Sequence, residues 1–211
     1  IKEACEFLDY PVVSGNVSFY NGTHQQNISP TPVIGGVGLI KKLSKTLSHN
    51  FTNTDSTLLV IGKTFGHLEQ SVFLKEIYSI NKGMPPEVNL RNEKNNGECL
   101  LKLINKNLIL SSHDVSTGGL IVALAEMSMG SNIGAKVHKP KRLTNSINYF
   151  FGEDQARYII EVNNKDLSKV DKILKENNVF YENIGITQSN FFEIEDELKI
   201  NIKDLFKINN E

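Results

Sequence analysis

The 211-residue chain contains little cysteine, no long apolar run and no excess of charge of either sign. Cys5 and Cys99 lie too far apart in the sequence for a zinc-type pair, and two cysteines make no disulfide framework. The 23 basic and 24 acidic residues leave a net charge of −1, so neither nucleic acid nor an anionic membrane surface is an expected partner. The longest apolar stretch, residues 120–125, is far shorter than the ~20 residues of a membrane span. These absences predict a cytoplasmic protein.

Familiar ligand-binding patterns are missing as well. The sequence has no GxxxxGK[ST] or GxGxxG stretch, which excludes the commonest phosphate-binding loops. It has no CxxC or HExxH pattern, so a zinc site is not expected. Hydrophobic residues make up 39% of the chain, which is enough to bury a core and excludes a disordered or fibrous protein.

Hydrophobic periodicity predicts mixed strands and helices, and therefore an α/β fold of the α+β type with a β-sheet packed against helices. A helical face at residues 1–8 opens without an N-cap, which suggests a piece of a longer protein. Residues 41–56 are polar and predict a domain boundary. Strands are predicted at 33–40, 58–61, 108–110, 157–162, 191–194 and 198–202, and helices near 68–80, 98–104, 120–127 and 167–174. The predicted core comprises Leu59, Ile61, Leu108, Leu110, Leu120, Leu124, Ile159 and Val162.

The loop at residues 14–18 (SGNVS) has a composition suited to a metal–nucleotide site. Gly15 would let the backbone approach a ligand, Asn16 offers a carbonyl oxygen to a hard cation, and Ser18 offers a hydroxyl. The same residue types are the commonest in ordinary polar turns, so residue types alone leave both interpretations open.

The second candidate, residues 111–119 (SSHDVSTGG), runs from a predicted strand into a predicted helix. Free N–H groups and the helix dipole make it a plausible phosphate cradle, but Ser116 or Thr117 could equally cap the helix. His113 and Asp114 are adjacent on a strand and should point to opposite faces, so a structural histidine is predicted rather than a catalytic dyad.

The third candidate lies at residues 150–157 (FFGEDQAR). Glu153, Asp154 and Gln155 bunch two carboxylates and an amide behind a glycine. Such a group could hold a cation or a purine edge, or it could be a solvated turn ahead of a strand.

These motifs, in this order and spacing, resemble the phosphoribosylformylglycinamidine synthase family. The resemblance rests on the segments PVVSGNVSFYN, ISPTPVIGGVGLI, SSHDVSTGGLIVALAEM and FFGEDQARYIIEV, and GHLEQSVFLKEI and PPEVNL…NGE agree with it. It covers nearly the whole chain and is closer to the family's small, separate-subunit form. Members of the family are ATP-dependent synthetases of purine biosynthesis.

The resemblance implies a domain organisation. The family is built from two tandem copies of a two-domain unit that also occurs in aminoimidazole ribonucleotide synthetase. Residues 1–52 would be the end of the second N-type domain, and residues 53–211 the second C-type domain, a mixed sheet with helices. The first copy and most of the third domain would lie outside this chain.

The resemblance also implies roles for residues in the matching motifs. Gly15 would contact ATP, Asn16 would ligate Mg²⁺, and Ser18 would touch formylglycinamide ribonucleotide. No catalytic residue is expected in this chain, because the family's catalytic histidines belong to segments outside it. Thr117 stands where Asp is frequent, and Glu69 where Gly is common. A further, auxiliary nucleotide site would comprise His113, Asp114, Ser116, Gly118, Gly119, Glu153, Asp154 and Gln155.

The implied reaction converts an amide to an amidine with ATP and ammonia. The implied partners are the N-terminal part of the same synthetase, a glutaminase subunit that supplies ammonia, a small bridging subunit and the ribonucleotide substrate. The chain alone is expected to be inactive. The alternatives are a sister synthetase of the same superfamily and a non-catalytic nucleotide-binding or assembly module.

Overall fold

A computed structural model describes residues 1–18, 22–23, 26–28, 31–141 and 145–210. The chain divides into two compact units, Ile1–Ser44 and Lys45–Glu211. A 3-10 turn, Leu43–Lys45, spans the point of division. Phe51 packs in the core of the second unit.

The described residues of the first unit contain little regular structure. Its helix α1 (Lys2–Leu8), predicted from the periodicity, ends where Asp9 adopts a left-handed conformation. Two short strands, β1 (Gly22–Thr23) and β2 (Gln26–Asn27), pair antiparallel. The strand predicted at 33–40 is wrong, because this segment is irregular and exposed. Its three glycines weaken a strand, and among the described residues it has no ladder partner.

The second unit is built on a seven-stranded mixed sheet, which confirms the predicted fold class. The strands lie in the order β4-β6-β3-β7-β5-β8-β9, and every neighbouring pair is antiparallel except the parallel pair β5 and β8. The bounds are β3 (Thr57–Ile61), β4 (Ser111–Asp114), β5 (Ile133–Val137), β6 (Tyr158–Val162), β7 (Tyr181–Ser189), β8 (Phe191–Ile194) and β9 (Leu198–Asn201).

Helices cover both faces of this sheet. The helices of this unit are α2 (Val72–Tyr78), α3 (Leu90–Asn105), α4 (Gly119–Met129), α5 (Ser146–Phe151), α6 (Leu167–Glu176) and α7 (Ile202–Asn209), with a 3-10 turn at Asn164–Asp166. Side chains of α4, α5 and α7 pack with Leu58 and Val60 of β3, whereas those of α3 and α6 pack with Leu59 and Ile61. Successive residues of β3 face opposite sides of the sheet, and helices cover both sides. β3 is therefore buried throughout, and its sequence is a continuous apolar run.

The predicted core is largely confirmed. Leu59, Ile61, Leu120, Leu124, Ile159 and Val162 are buried. Leu108 and Leu110 are half-buried instead, because the strand predicted at 108–110 begins three residues later, at Ser111. Among the residues the structure describes, no helix has the length and apolar character needed to cross a membrane.

A buried carboxylate joins the segment before β3 to the sheet. Glu161 of β6 is inaccessible to solvent and accepts hydrogen bonds from the N–H groups of Thr52 (2.9 Å) and Asn53 (3.0 Å). The hydroxyls of Thr52 and Ser111 also donate to it, Ser111 at 2.8 Å. These four donors compensate the cost of burying a charged group in an apolar strand.

Candidate functional site

The candidate residues fall into two groups. Gly15, Asn16 and Ser18 lie in the first unit, on exposed chain without regular structure. Nothing described lies within 4 Å of the position that a Cβ would take at Gly15, so a ligand has room to approach the backbone there. Phe19, Tyr20 and Asn21 of the same motif lie outside the described residues.

Asp154 of the FFGEDQAR segment is buried and holds the loop that follows β3. Its carboxylate accepts hydrogen bonds from the consecutive N–H groups of Phe65 (2.9 Å), Gly66 (2.8 Å) and His67 (3.2 Å). Successive N–H groups that converge in this way form the kind of concavity that binds anions in other proteins. Here the protein's own carboxylate occupies it.

Arg157 is the buried counterpart of Asp154. Its guanidinium lies 4.0 Å from Asp154 Oδ2 and donates hydrogen bonds to Gly152 O (2.5 Å), Asp154 O (3.1 Å) and Thr64 Oγ1 (3.3 Å). Burial lowers the pKa of Arg157, and the nearby Asp154 carboxylate acts in the opposite direction. The pair thus fixes the segment before β6 to the loop that follows β3.

Glu153 connects the beginnings of two helices. Its Oε1 accepts hydrogen bonds from Val72 N (2.9 Å), the first residue of α2, and from Gly118 N (2.8 Å), which precedes α4. A carboxylate is favourable there because N–H groups at helix N-termini are unpaired and carry partial positive charge. Of the predicted auxiliary set, the structure thus joins Glu153 and Gly118 directly.

The turn before α4 depends on glycine and not on a capping side chain. Gly118 is the N-cap, with φ of 80° and no side-chain cap, so the alternative in which Ser116 or Thr117 caps the helix is wrong. Gly119 has φ of 74°, and a Cβ there would lie 2.7–2.8 Å from backbone atoms of residues 150–152. The two motifs therefore pack backbone against backbone.

His113 lies at the sheet edge in polar surroundings. Its Nδ1 is 2.6 Å from the carbonyl oxygen of Asp114, and its Nε2 is 3.2 Å from Glu126 Oε2 of α4. The ring also packs edge-on against His49, with centroids 5.4 Å apart. His113 Nδ1 also lies 3.5 Å from Asp114 Oδ1, so the two side chains approach each other and do not point to opposite faces as predicted. The contact with Glu126 joins β4 to α4.

Helix α3 holds Ala156, which follows Gln155, in a left-handed conformation. Ala156 has φ of 58°; its carbonyl accepts a hydrogen bond from Asn96 Nδ2 (2.8 Å), and its N–H donates to Glu93. Burial raises the pKa of Glu93, although the Ala156 N–H opposes this shift. Left-handed backbone is costly for alanine, so α3 compensates strain at the end of the motif.

Replacing Ala156 with glycine is expected to raise the free energy of unfolding by about 0.5–1 kcal/mol, because glycine adopts this conformation without strain. Urea denaturation of the chain measures the change. Ala125→Gly within α4 is the matched control and should lower the free energy by about 1 kcal/mol. A loss of stability in both variants would contradict the strain at Ala156.

Sequence reasoning missed the most informative partners of these motifs. Arg157, Glu93 and Asn96 act through contacts that join residues 60 or more positions apart in the sequence. A usable signal was the rarity of arginine, since the chain has only three, one of them at the start of a buried strand. Among the described residues, no group of three or more His, Cys, Asp or Glu side chains could hold a metal ion.

The second unit is therefore an α+β domain. It has a mixed sheet with helices on both faces and, beside α4, a turn in which the Gly118 N–H donates to the Glu153 carboxylate. The family described as "AIR synthase related protein, C-terminal domain" matches residues 55–194. The chain belongs to this family.

Curated relatives match almost the whole chain. One from Pelagibacter ubique (strain HTCC1062), named phosphoribosylformylglycinamidine synthase subunit PurL, is 51% identical over 207 residues, which are 98% of this chain and 28% of the relative. The chain thus spans about 28% of the length of the curated relatives it matches.

Solved structures share the fold. T. maritima PurL complexed with FGAR has a TM-score of 0.67 at 16% identity, over 78% of this chain and 30% of that one. T. maritima PurL complexed with ATP has a TM-score of 0.62 at 14% identity, over 78% and 28%. PurLQS from Thermotoga maritima has a TM-score of 0.61 at 16% identity, over 78% and 28%. Because the sequence identities are only 14–16%, these structural matches establish the fold alone.

Proposed function

We propose that this chain is the C-terminal part of an ATP-dependent carbon–nitrogen ligase that converts formylglycinamide ribonucleotide to formylglycinamidine ribonucleotide. The observation that carries the proposal is the 51% identity to a PurL subunit over 98% of the chain. The catalytic residues would belong to the remainder of the longer protein, which this chain does not include.

The SGNVS loop is the proposed contribution of this chain to the active site. Gly15 offers an open backbone to ATP, Asn16 an exposed amide oxygen to Mg²⁺, and Ser18 a hydroxyl to the ribonucleotide. An amide oxygen is a ligand type that Mg²⁺ accepts. A single neutral ligand is not a complete site, so phosphate oxygens, water and carboxylates of the longer protein would supply the others.

The proposed reaction proceeds in two stages. The amide oxygen takes the γ-phosphoryl group of ATP and releases ADP; ammonia then attacks the amide carbon, and phosphate leaves to give the amidine. When bound, Mg²⁺ neutralises charge on the phosphate oxygens. The residues of this chain would orient ATP and substrate for the first stage.

The auxiliary nucleotide site is a separate part of the proposal. The Glu153 and Asp154 carboxylates are already engaged by backbone N–H groups, so they would shape such a site without binding the nucleotide. Gln155 follows Asp154 in the sequence and Ser116 lies two residues before Gly118; both are exposed and would make the contacts, while the buried Gly118–Gly119 turn would shape the site.

The proposed partners are the rest of the same polypeptide, a glutaminase subunit that delivers ammonia and a small bridging subunit, in the cytoplasm. Two observations support these partners. The chain spans only 28% of its relatives, which supports a longer polypeptide, and its fold recurs in a structure named PurLQS, which supports a multi-subunit setting.

Replacing Asn16 with alanine in the longer protein is expected to lower ADP release by roughly 100-fold and to raise the magnesium concentration required, because a metal ligand is lost. The assay contains formylglycinamide ribonucleotide, ammonia and magnesium–ATP.

Asn27→Ala, in β2 of the same unit, is the matched control and should leave the rate unchanged. The 211-residue chain alone should release no ADP under these conditions. An unchanged magnesium titration for Asn16→Ala would make this residue an ordinary turn residue. If the longer protein releases no ADP with this substrate, the proposed function is wrong.

A further inference from the structure

The segment between α2 and α3, residues 79–89, is here called the strap. It has no regular structure and is exposed apart from half-buried Pro86. Its ends are fixed by the adjoining helices: Ser79 terminates α2 in a left-handed conformation, and the Asn89 side chain caps α3. A segment with so little burial should open without disturbing the core.

Three side chains hold the middle of the strap. His67 Nε2 lies 2.8 Å from Met84 O, Glu69 Oε2 accepts a hydrogen bond from Met84 N (2.7 Å), and Gln70 Nε2 donates to Gly83 O (3.0 Å). From the described part of the chain, no other hydrogen bond reaches residues 81–88. All three contacts are made to backbone atoms of the strap. The side chains that hold the strap in its observed position therefore belong to residues 67–70.

Gly83 is shaped for this contact. Its φ is +105°, and a Cβ there would lie 2.5–2.7 Å from Oε2, Cβ and Cδ of Glu69. Only glycine combines this conformation with such a close approach. Glu69 itself has no positive φ and contributes its side chain to this contact.

One of the three residues that hold the strap, His67, is attached by its backbone to the Glu153–Asp154 turn. The N–H of His67 donates to Asp154 Oδ1 (3.2 Å), and the carbonyl of His67 accepts from Glu153 N (2.9 Å). Both backbone groups of His67 are therefore fixed by the turn, while its side chain holds Met84. A continuous series of hydrogen bonds runs from the turn to the strap.

We propose that the strap is a conformational device that closes on residues 67–70 and opens when the Glu153–Asp154 turn releases His67. The closed state depends on the Glu69 carboxylate and on glycine at position 83. The open state exposes the backbone of residues 81–84 while the sheet remains intact. This inference does not depend on the proposed synthetase activity.

Trypsin cleavage after Lys82 and hydrogen exchange at the Met84 N–H measure the open fraction in the 211-residue chain. Glu69→Ala and Gly83→Ala should each raise both rates roughly tenfold, because the first removes the acceptor of the Met84 N–H and the second places a Cβ against the Glu69 side chain. The midpoint of thermal unfolding should stay unchanged. Glu87→Ala, an exposed carboxylate on the strap itself, is the matched control and should cleave at the wild-type rate.

Asp154→Asn tests the link to the turn. It should accelerate cleavage after Lys82 more than cleavage after Lys172, an exposed site on α6 that reports global unfolding. Wild-type cleavage after Lys82 as fast as in Glu69→Ala would show that the strap is not held and would overturn the proposal. Equal acceleration at both lysines in Asp154→Asn would overturn its control by the turn.

Discussion

Replacing Asp154 with alanine is expected to lower the free energy of unfolding by about 3–5 kcal/mol, because the change breaks a buried charge pair from one side. Three backbone N–H groups lose their acceptor, and the buried guanidinium of Arg157 loses its carboxylate. Urea denaturation of the 211-residue chain measures the loss through the shift in midpoint.

The double variant Asp154→Ala/Arg157→Met separates the cost of the unpaired Arg157 charge from the cost of the loop N–H groups that lose their acceptor. If the unpaired charge dominates, methionine at position 157 should restore part of the stability that Asp154→Ala removes, because no buried charge remains. Simple additivity of the two single effects would show that the pair is energetically uncoupled. In that case the loss would come from the loop N–H groups alone.

The second large effect is expected at Glu161. Glu161→Ala should cost about 3–5 kcal/mol, since it leaves two N–H groups and two hydroxyls without an acceptor inside the sheet. The segment that contains Thr52 and Asn53 would lose its attachment. Thermal unfolding followed by circular dichroism measures the effect.

Two further variants calibrate this result. Ser111→Ala removes one of the four donors and should cost about 1 kcal/mol. Glu176→Ala, which deletes an exposed carboxylate at the end of α6, should stay within about 0.5 kcal/mol of wild type. A Glu161→Ala chain as stable as the Glu176→Ala chain would contradict a structural role for the buried carboxylate.

Periodicity predicts those elements whose apolar residues follow one regular burial pattern. The run at Thr57–Ile61 was predictable because it is buried throughout, and the strand at Phe191–Ile194 because Phe192 and Ile194 are buried in alternation with their more exposed neighbours. β5 (IGAKV) and β7 (YENIGITQS) escape such reasoning, since small and polar residues alternate with few apolar ones. β7 also contains a register shift opposite Leu58 and Leu59, which interrupts its period.

The candidate site was predictable as a set of motifs but not as a set of contacts. Local composition identifies Glu153 and Asp154 as chemically interesting. It cannot reveal that their acceptors are used by N–H groups 35–89 residues away in sequence. The same limit applies to Gly118, whose left-handed cap replaces the Ser116 or Thr117 cap that residue preference favours.

The position of β3 has a consequence for synthesis on the ribosome. β3 is the first strand of the sheet in sequence, yet its two neighbours, β6 and β7, begin at Tyr158 and Tyr181. At translation rates of ~5–20 residues per second, roughly 5–20 seconds separate emergence of Ile61 from emergence of its nearest partner strand. During that interval an unpaired apolar strand is exposed. The nascent chain is therefore most vulnerable to aggregation before β6 is made, and its folding should be slow because the central pairings are long-range.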